Sequence, residues 1–581
     1  RRLRGRAVSE DCAMKRTSVT LAGVLAALAG TAVFVWSWLY RYNDLDGPIA
    51  GLTDDHYFYL VRGWQLLFGE WPDRDFVDPG APLTFVLAAL TQLIGGRGTW
   101  SEIVFCVTAL SVSTSLTFWA ARRASGSVII GTLAAVFQAV LLPRYYNYPK
   151  VLIYAAAFPL LWSYVDTPTT KRRIAMAALT VVALLLRHDH GVFIGVACVA
   201  TIVLQAHVGW LDRAKHLAAY VVLTVACALP YLGWLQLNGG VLPHIQAANS
   251  YSQRDRARAP LLLPSFAVTP QPEEDPVEDD ADWWQRGIFE QASRNYEPWL
   301  FWLLLAVPLA ALAAQVGAVE TRSDWPHARQ KLSVAALLAL VLFWGFIRGN
   351  LGARFGDVGV PSAILAAWLL RAAIRSMGAG RGFVARVATA VATLAIVAGT
   401  VFVLLPPVRE RLDHVGMTDR PLGAVDKATA MTARLVTWPL ESWSSPDTRG
   451  PVRIAFYVRD CTAEDDRVFV SPYMAEIHAL AQRPFPAGHA DLRPGFYSTI
   501  ADQRLALSRL ARQRVAVAVL PAGADYANVQ KDMPRIDAWL QTEFRKYGEF
   551  ELGDGSQITL FVRRDRAVHG TYRDTGWPCL K

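Results

Sequence analysis

Two adjacent carboxylates, Asp54 and Asp55, follow closely on the first long apolar run of the chain. A carboxylate can take the proton from an attacking hydroxyl group while a phosphate leaving group departs, and one such base suffices when the displacement occurs in a single step. Asp is also a favoured helix N-cap. We therefore expect one of the two to cap a helix that begins at His56 and the other to act as the base.

Basic side chains at the ends of later apolar runs provide possible partners for a phosphate. Five of them lie at span ends that need no positive charge for membrane topology: Arg144, Lys150, Arg187, Arg348 and Arg354. Guanidinium groups pair with phosphate in a bidentate way, so these residues are candidates for binding a lipid-linked phosphate. Arg348 and Arg354 are the first candidates, and Arg187, Lys150 and Arg74 are the weaker ones. The alternative is interfacial snorkelling or pairing with loop acids.

Aromatic and polar residues in the same loops are candidates for contacts with a substrate. They are Tyr57, Tyr145, Tyr146, His188 and Asp189. Tyrosines are common at a membrane interface in any case, which is the alternative for them. His188, Asp189 and His190 are consecutive and do not converge easily on one ion, and no Cys or His lies at metal-site spacing from them. The sequence therefore predicts no metal site.

The elements that position these residues are membrane spans. Of 581 residues, 53% are hydrophobic and only 18% charged, and the apolar residues come in blocks of bilayer length. The predicted fold class is a polytopic α-helical membrane protein with about eleven spans and a small C-terminal α/β domain. The spans are 19–40, 101–121, 127–143, 150–165, 173–187, 191–206, 215–236, 299–317, 331–347, 357–371 and 383–405.

Loop charges predict the orientation. Every loop on the N-terminal side of the membrane is rich in Arg and Lys, which indicates that the N-terminus is cytoplasmic and the C-terminus outside. The net charge of +9 is explained in this way and does not indicate nucleic-acid binding. The apolar run 83–95 is too short to cross, so it is predicted to be an amphipathic helix at the outer interface.

The predicted domains are a cytoplasmic tail (1–18), a membrane module (19–406) with outer loops at 43–100 and 237–298, and an outside domain (407–581). Met14 is a candidate start, and the first span is predicted to be an uncleaved anchor. In the last domain, strands at 467–471, 515–521 and 557–562 alternate with helices at 473–482 and 529–547.

Two cysteines of the outside domain, Cys461 and Cys579, are predicted to form a disulfide, with free thiols as the alternative. Cys106, Cys198 and Cys227 lie inside spans and are predicted to be small buried apolar residues.

The run DDHYFYLVRGWQLLFGEWPDRDFVDPGAPLT at 54–84 resembles the first outer loop of GT-C membrane glycosyltransferases, in the group of protein O-mannosyltransferases and aminoarabinose transferases. The matching elements are the acid pair, Gly69-Glu70-x-Pro72-x-Arg74-Asp75-Phe76 and Pro82-Leu83. The runs RHDHG at 187–191 and RDCTAEDDRVFV at 459–470 are similar to this group as well.

The resemblance implies a sugar donor linked to polyprenyl phosphate, no cofactor and no metal. It also implies that the first acid of the pair, Asp54, is the base, although Asp55 stands where Glu is usual. The expected function is a hexosyl- or pentosyltransferase of the plasma membrane, active on its outer side. A glycan, lipid or protein outside the cytoplasm would be the acceptor, and the outside domain would help to bind it. A lipid-linked saccharide transporter and a non-catalytic envelope scaffold are the alternatives.

Overall fold

The structure is a computed structural model. It describes residues 2–45, 47–49, 52, 54–141, 144–258, 264, 296–316, 325–346, 354–375, 383–418, 420, 422–438, 440–444, 446–471, 473–552, 557–573 and 575–581.

Helices form the membrane module. In chain order they are α1 (Arg2–Asn43), α2 (Asp54–Leu67), α3 (Pro82–Gly95), α4 (Thr99–Ser125), α5 (Val128–Val140), α6 (Tyr148–Asp166), α7 (Thr170–Leu186), α8 (His188–Val203), α9 (Trp210–Leu237), α10 (Val241–Arg258), α11 (Tyr296–Val316), α12 (Ala328–Phe346), α13 (Phe355–Arg375) and α14 (Phe383–His414).

Each predicted span coincides with one of these helices. Seven have the length and apolar composition to cross a membrane: Leu21–Asn43, Thr99–Ser125, Trp210–Leu237, Tyr296–Val316, Ala328–Gly345, Phe355–Arg375 and Arg386–His414. The helices α5 to α8 have 13 to 19 residues and are not among the seven. The polytopic helical fold is therefore confirmed, and the count of eleven crossings stays a prediction.

Helix α4 lies at the centre of the membrane module and packs against α1, α5, α6 and α13. Its contact faces contain small polar residues whose hydroxyls hydrogen-bond within the helix, as Ser111 does to the Val107 carbonyl at 2.8 Å. Thr114 also donates to Gln138 of α5 at 2.7 Å. Small side chains allow close helix approach in a bilayer, where apolar burial gives little driving force.

The two ends of the bundle differ in their polar contacts. At one end, Asp166 at the close of α6 accepts from Lys331 at 2.5 Å and pairs with Arg123 at 3.1 Å. At the other end, Lys150 near the start of α6 pairs with Asp357 at 3.3 Å. The alternating helix directions therefore bring the predicted inner loops to one end and the predicted outer loops to the other.

The first outer loop folds as two helices, α2 and α3, packed on each other. Helix α3 confirms the helix predicted at 83–95. Arg62 of α2 is buried, with its guanidinium 4.2 Å from the Phe76 ring centroid and donating to the Gly488 carbonyl at 3.3 Å. Gly488 has φ +71 and lies so close to this loop that a Cβ there would be 2.5 Å from the Asp75 carbonyl. The loop and the C-terminal domain are thus in tight contact.

The C-terminal domain contains α15 (Gly423–Thr437), α16 (Pro446–Cys461), α17 (Ala475–Ala481), α18 (Ile500–Leu510), α19 (Gly523–Asp532) and α20 (Pro534–Glu543). Its strands are β1 (Arg467–Val470), β2 (Val515–Pro521), β3 (Phe544–Glu551), β4 (Gln557–Arg563), β5 (Gly570–Thr571) and β6 (Pro578–Cys579).

The four longer strands form one sheet in the order β1-β2-β4-β3. Strands β1 and β2 are parallel, with Val468 opposite Val517, and the other pairs are antiparallel, with Val517 opposite Val562. Strand β2 is buried along its length except at Pro521, as expected for a central strand. The small α/β domain that the sequence predicted is confirmed.

One predicted helix in this domain is wrong in part. The sequence predicted a single helix at 529–547, whereas α19 ends at Asp532, Pro534 starts α20, and the chain is extended from Phe544 onward. Proline fits the first turn of a helix but not its interior, which explains the break. The residues after Glu543 pair with β4, with Phe544 opposite Arg563, so sheet pairing overrides the helical pattern.

The structure joins Cys461 at the end of α16 to Cys579 in β6, with Cα atoms 4.4 Å apart and a sequence separation of 118. Cross-linking a long segment restricts the unfolded chain. We expect the double variant Cys461→Ser/Cys579→Ser to lose about 2–5 kcal/mol of the unfolding free energy of this domain. Chemical denaturation of the full chain would measure the loss, with Cys227→Ser as the control. An unchanged midpoint would contradict a stabilising role for the bond.

Candidate active site

Three helix N-termini converge at the end of the bundle nearest the first outer loop. They belong to α6, α8 and α13, and they contribute five charged residues that we call the cationic cluster: Lys150, Arg187, Asp189, Arg354 and Asp357. These charges interact electrostatically, since each of the other four residues acts on the charge of Lys150. A helix N-terminus stabilises a negative group. The helix dipoles and the three cations therefore both favour binding of an anion.

Direct contacts tie the cluster together. Lys150 Nζ lies 3.3 Å from Asp357 Oδ2, and both side chains are nearly buried. Arg187 Nε lies 3.1 Å from Asp189 Oδ1. Arg354 Nη1 donates to the Gly345 carbonyl at 2.9 Å, which connects the start of α13 to the end of α12. Asp357 Oδ1 is buried and has no hydrogen-bond partner among the described residues.

The ion pair between Arg187 and Asp189 keeps both residues charged. The negative charge of Asp189 raises the pKa of Arg187 above its usual value despite partial burial. Burial alone would raise the pKa of Asp189, but Arg187, His190 and Lys150 outweigh it and hold that pKa well below its usual range. Arg187 is thus a permanent cation, and its pairing also orients it.

Asp55, in the first turn of α2, lies beside this cluster. Its side chain is exposed, it hydrogen-bonds with the Tyr146 hydroxyl, and its charge acts on Arg187. Burial, with Asp55 as a second cause, raises the pKa of Tyr146. Arg144 donates to the same hydroxyl at 3.4 Å. Helix α2 begins at Asp54 and not at His56, so the prediction that one of the two acids caps a helix starting at His56 is wrong. The side chain of Asp54 lies outside the described part of the structure.

The structure thus brings together Lys150, Arg187, Asp189, Arg354, Asp55 and Tyr146, all predicted as site residues. Arg348 lies outside the described residues.

Three other predicted site residues have contacts elsewhere. Arg74 pairs with its neighbour Asp75 at 2.7 Å and donates to the Gly69 carbonyl at 2.6 Å. Tyr57 is buried against the C-terminal domain, with its hydroxyl 3.1 Å from the Ile49 carbonyl. Tyr145 is buried and donates to the Arg41 carbonyl at 2.6 Å. These contacts stabilise the loops and helix ends around the cluster.

His188 belongs to a second group, the histidine network of Asp73, His188, Tyr231 and His244. Here His244 Nδ1 lies 2.8 Å from Asp73 Oδ1, and the Tyr231 hydroxyl lies 3.4 Å from a nitrogen of each histidine. Gly80 (φ +107) passes so close that a Cβ would lie 2.5 Å from His188 Nδ1.

The histidine network joins two loops that are distant in sequence. His244 lies on α10, in the second outer loop, and Asp73 lies in the first. Burial lowers the pKa of His188 to about 4, with the nearby His244 as a second cause, so His188 is neutral at physiological pH. A role of His188 in substrate binding stays a prediction.

Sequence reasoning missed Asp357 and Tyr154, and it placed His190 in a group with His188 and Asp189. Tyr154 and His190 are buried, and the phenol oxygen of Tyr154 contacts Nδ1 of His190. The charges of Asp189 and Lys150 act on His190. One signal was available: Asp357 is an acid at the outer end of the predicted span 357–371, close to the basic residues Arg348 and Arg354.

Removing Lys150 tests the buried ion pair. We expect Lys150→Met to destabilise the membrane module by about 3–5 kcal/mol, because Asp357 would remain as an unpaired buried charge. The double variant Lys150→Met/Asp357→Leu should recover much of that loss. Thermal unfolding in detergent would measure both. Equal stability of the single and double variants would contradict the expected energetic coupling between Lys150 and Asp357.

Comparison with solved structures finds likeness over most of the chain. ArnT from Cupriavidus metallidurans bound to undecaprenyl phosphate matches with 14% identity and a TM-score of 0.48, covering 94% of this chain and 99% of that one. Its apo structure gives a TM-score of 0.46, also at 14% identity, over 93% and 98%. The mycobacterial arabinofuranosyltransferase AftD matches at 13% identity with a TM-score of 0.37, over 93% of this chain and 40% of its own.

These structures belong to the GT-C group that the first outer loop resembles. No family model and no curated protein matches the chain by sequence.

Proposed function

We propose that this protein is a membrane glycosyltransferase that moves a sugar from a polyprenyl-phosphate donor to an acceptor outside the cytoplasm. The observation that supports it most is the meeting of the cationic cluster with Asp55 at one end of the helical bundle. Such a transfer needs a site for the departing phosphate and a carboxylate within reach of the attacked carbon.

The cationic cluster is suited to the donor phosphate. Four cations, including Arg144, face three carboxylates when Asp55 is counted with Asp189 and Asp357. A polyprenyl-phosphate diester carries a single negative charge, with which these cations can pair. As the bond to the sugar breaks, the phosphate gains negative charge, and fixed cations and helix N-termini stabilise that charge more than they stabilise the ground state.

The acid pair would provide the base. We assign the role to Asp54, following the resemblance, with Asp55 as the alternative. Asp55 is exposed and near Arg187, so a hydroxyl acceptor approaching from outside could reach it. The loop around the pair is held by the C-terminal domain through Arg62 and through the ion pair of Glu70 with Arg467. That domain therefore supports the position of the acid pair.

The test is direct assay of transfer by the purified full chain. It would be incubated in detergent with a panel of polyprenyl-phosphate sugars and an extracted envelope fraction as the source of acceptors. Release of free polyprenyl phosphate together with a glycosylated product would support the proposal. A saccharide transporter reconstituted in vesicles would move the donor between leaflets without forming a product. Donor movement with no product for any sugar of the panel would overturn the assignment.

A further inference from the structure

A third polar cluster includes the residue that follows the acid pair in α2. It contains His56 of α2 and, one helical turn apart on α4, Glu102 and Cys106. One ligand atom from each, a ring nitrogen, a carboxylate oxygen and the sulfur, lies within 4.8 Å of both others. The exposed fractions of the three residues are 2%, 2% and 0%. We call this the His-Glu-Cys cluster.

Two polar atoms beside the cluster have no hydrogen-bond partner among the described residues. One is His56 Nε2, and the other is the hydroxyl of Tyr148, a buried residue whose electrostatic surroundings include Glu102 and Cys106. A buried polar atom left unpaired costs about 1–3 kcal/mol, and an ion is one of the ordinary reasons for such atoms.

We propose that His56, Glu102 and Cys106 bind a divalent transition metal of the zinc class. Imidazole nitrogen, carboxylate oxygen and thiolate sulfur together form a ligand set that suits zinc and that calcium and magnesium, which prefer oxygen ligands, would not select. The hydroxyl of Tyr148 or a water molecule is available for the fourth position.

Binding would change one protonation state and leave an existing contact in place. Cys106 now donates weakly to Glu102 at 3.8 Å; on binding, its thiol proton is released to solvent and the thiolate bonds the metal. Thr91 donates to Glu102 Oε2 at 2.6 Å and would remain as a partner that orients the carboxylate. No electron transfer is involved.

The location indicates what the metal would do. His56 follows Asp55 directly in α2, whereas Glu102 and Cys106 lie at the start of α4. A metal bonded to both helices would fix the first turn of α2, and with it the acid pair, relative to the membrane helices. The inference rests on the ligand geometry and holds whether or not the chain transfers sugars.

Metal content of the purified full chain tests the proposal. After loading with Zn²⁺ and removal of excess ion, we expect about one bound zinc per chain by mass spectrometry of the metal. Cys106→Ser and Glu102→Gln should each lower zinc affinity at least about 10-fold. Cys227→Ser, a thiol on α9, is the matched control and should keep it. Less than a stoichiometric amount of zinc in the unmodified chain, or full zinc in Cys106→Ser, would overturn the proposal.

Cobalt loading of the unmodified chain gives a second readout that does not depend on how the variants fold. Co²⁺ bonded to a thiolate shows a strong charge-transfer absorption in the near ultraviolet. We expect that band in the unmodified chain and in Cys227→Ser, and its loss when Zn²⁺ displaces the cobalt. A chain that binds no cobalt through sulfur would show instead that the His-Glu-Cys cluster is a hydrogen-bonded group without metal.

Discussion

Asp54→Asn is expected to lower sugar transfer by about 10²- to 10⁴-fold while the protein still inserts and folds, because a general base contributes rate on that scale. Asn keeps the shape of Asp at the first position of α2 but cannot accept the proton. Product formation under single-turnover conditions, with enzyme in excess over donor, would measure the change.

Asp55→Asn is the companion variant. If Asp54 is the base, Asp55→Asn should have the smaller effect of the two, through its contacts with Tyr146 and Arg187. The reverse order would assign the base to Asp55. Asp525→Asn, at an exposed position in α19, is the matched control and should leave transfer unchanged. Full activity in both Asp54→Asn and Asp55→Asn would exclude this acid pair as the source of the base.

Arg187→Gln is expected to reduce kcat/KM for the donor by about 10- to 150-fold, the equivalent of about 1.5–3 kcal/mol for hydrogen bonds to a charged group. The reason is that Arg187 is paired with Asp189 and its charge also interacts with that of Asp55. Steady-state kinetics over a range of donor concentrations would separate KM from kcat.

Arg187→Lys keeps the charge but loses the bidentate fork, so it should recover only part of the activity. Arg504→Gln, at an exposed position on α18, is the matched control. Arg187→Gln with an unchanged KM and kcat would show that the donor phosphate binds elsewhere. An Arg187→Gln protein that unfolds would be recognised by its melting temperature, and the Lys variant would then carry the comparison.

Much of the fold could be predicted from the sequence because apolar blocks and the Lys/Arg pattern are local signals. The helices at 101–121 and 383–405 appear within a few residues of the prediction, although α14 continues to His414 through Pro406 and Pro407. Where the prediction failed, at 544–547, a strand partner more than ten residues away decides the conformation. Local patterns carry no information about such pairing.

The candidate site was predictable in its residue types but not in its pairings. Lys150 and Asp357 are 207 residues apart in sequence, and only the fold brings them together. Arg187 and His188 are neighbours in sequence, yet one joins the cationic cluster and the other the histidine network. The predicted spans place the turn between α7 and α8 correctly, but they do not show which partners each side chain of that turn finds.

The contact between the first outer loop and the C-terminal domain has a consequence for how the protein is made. The loop that holds the acid pair is synthesised early, whereas Arg467 and Gly488, which bind it, come from the last quarter of the chain. Chains emerge from the ribosome N-terminus first. The contacts of the loop with the C-terminal domain can therefore form only after most of the protein has been synthesised and its last domain has folded. The order of synthesis thus delays maturation of the site, so a truncated or misfolded product would leave the acid pair without its support.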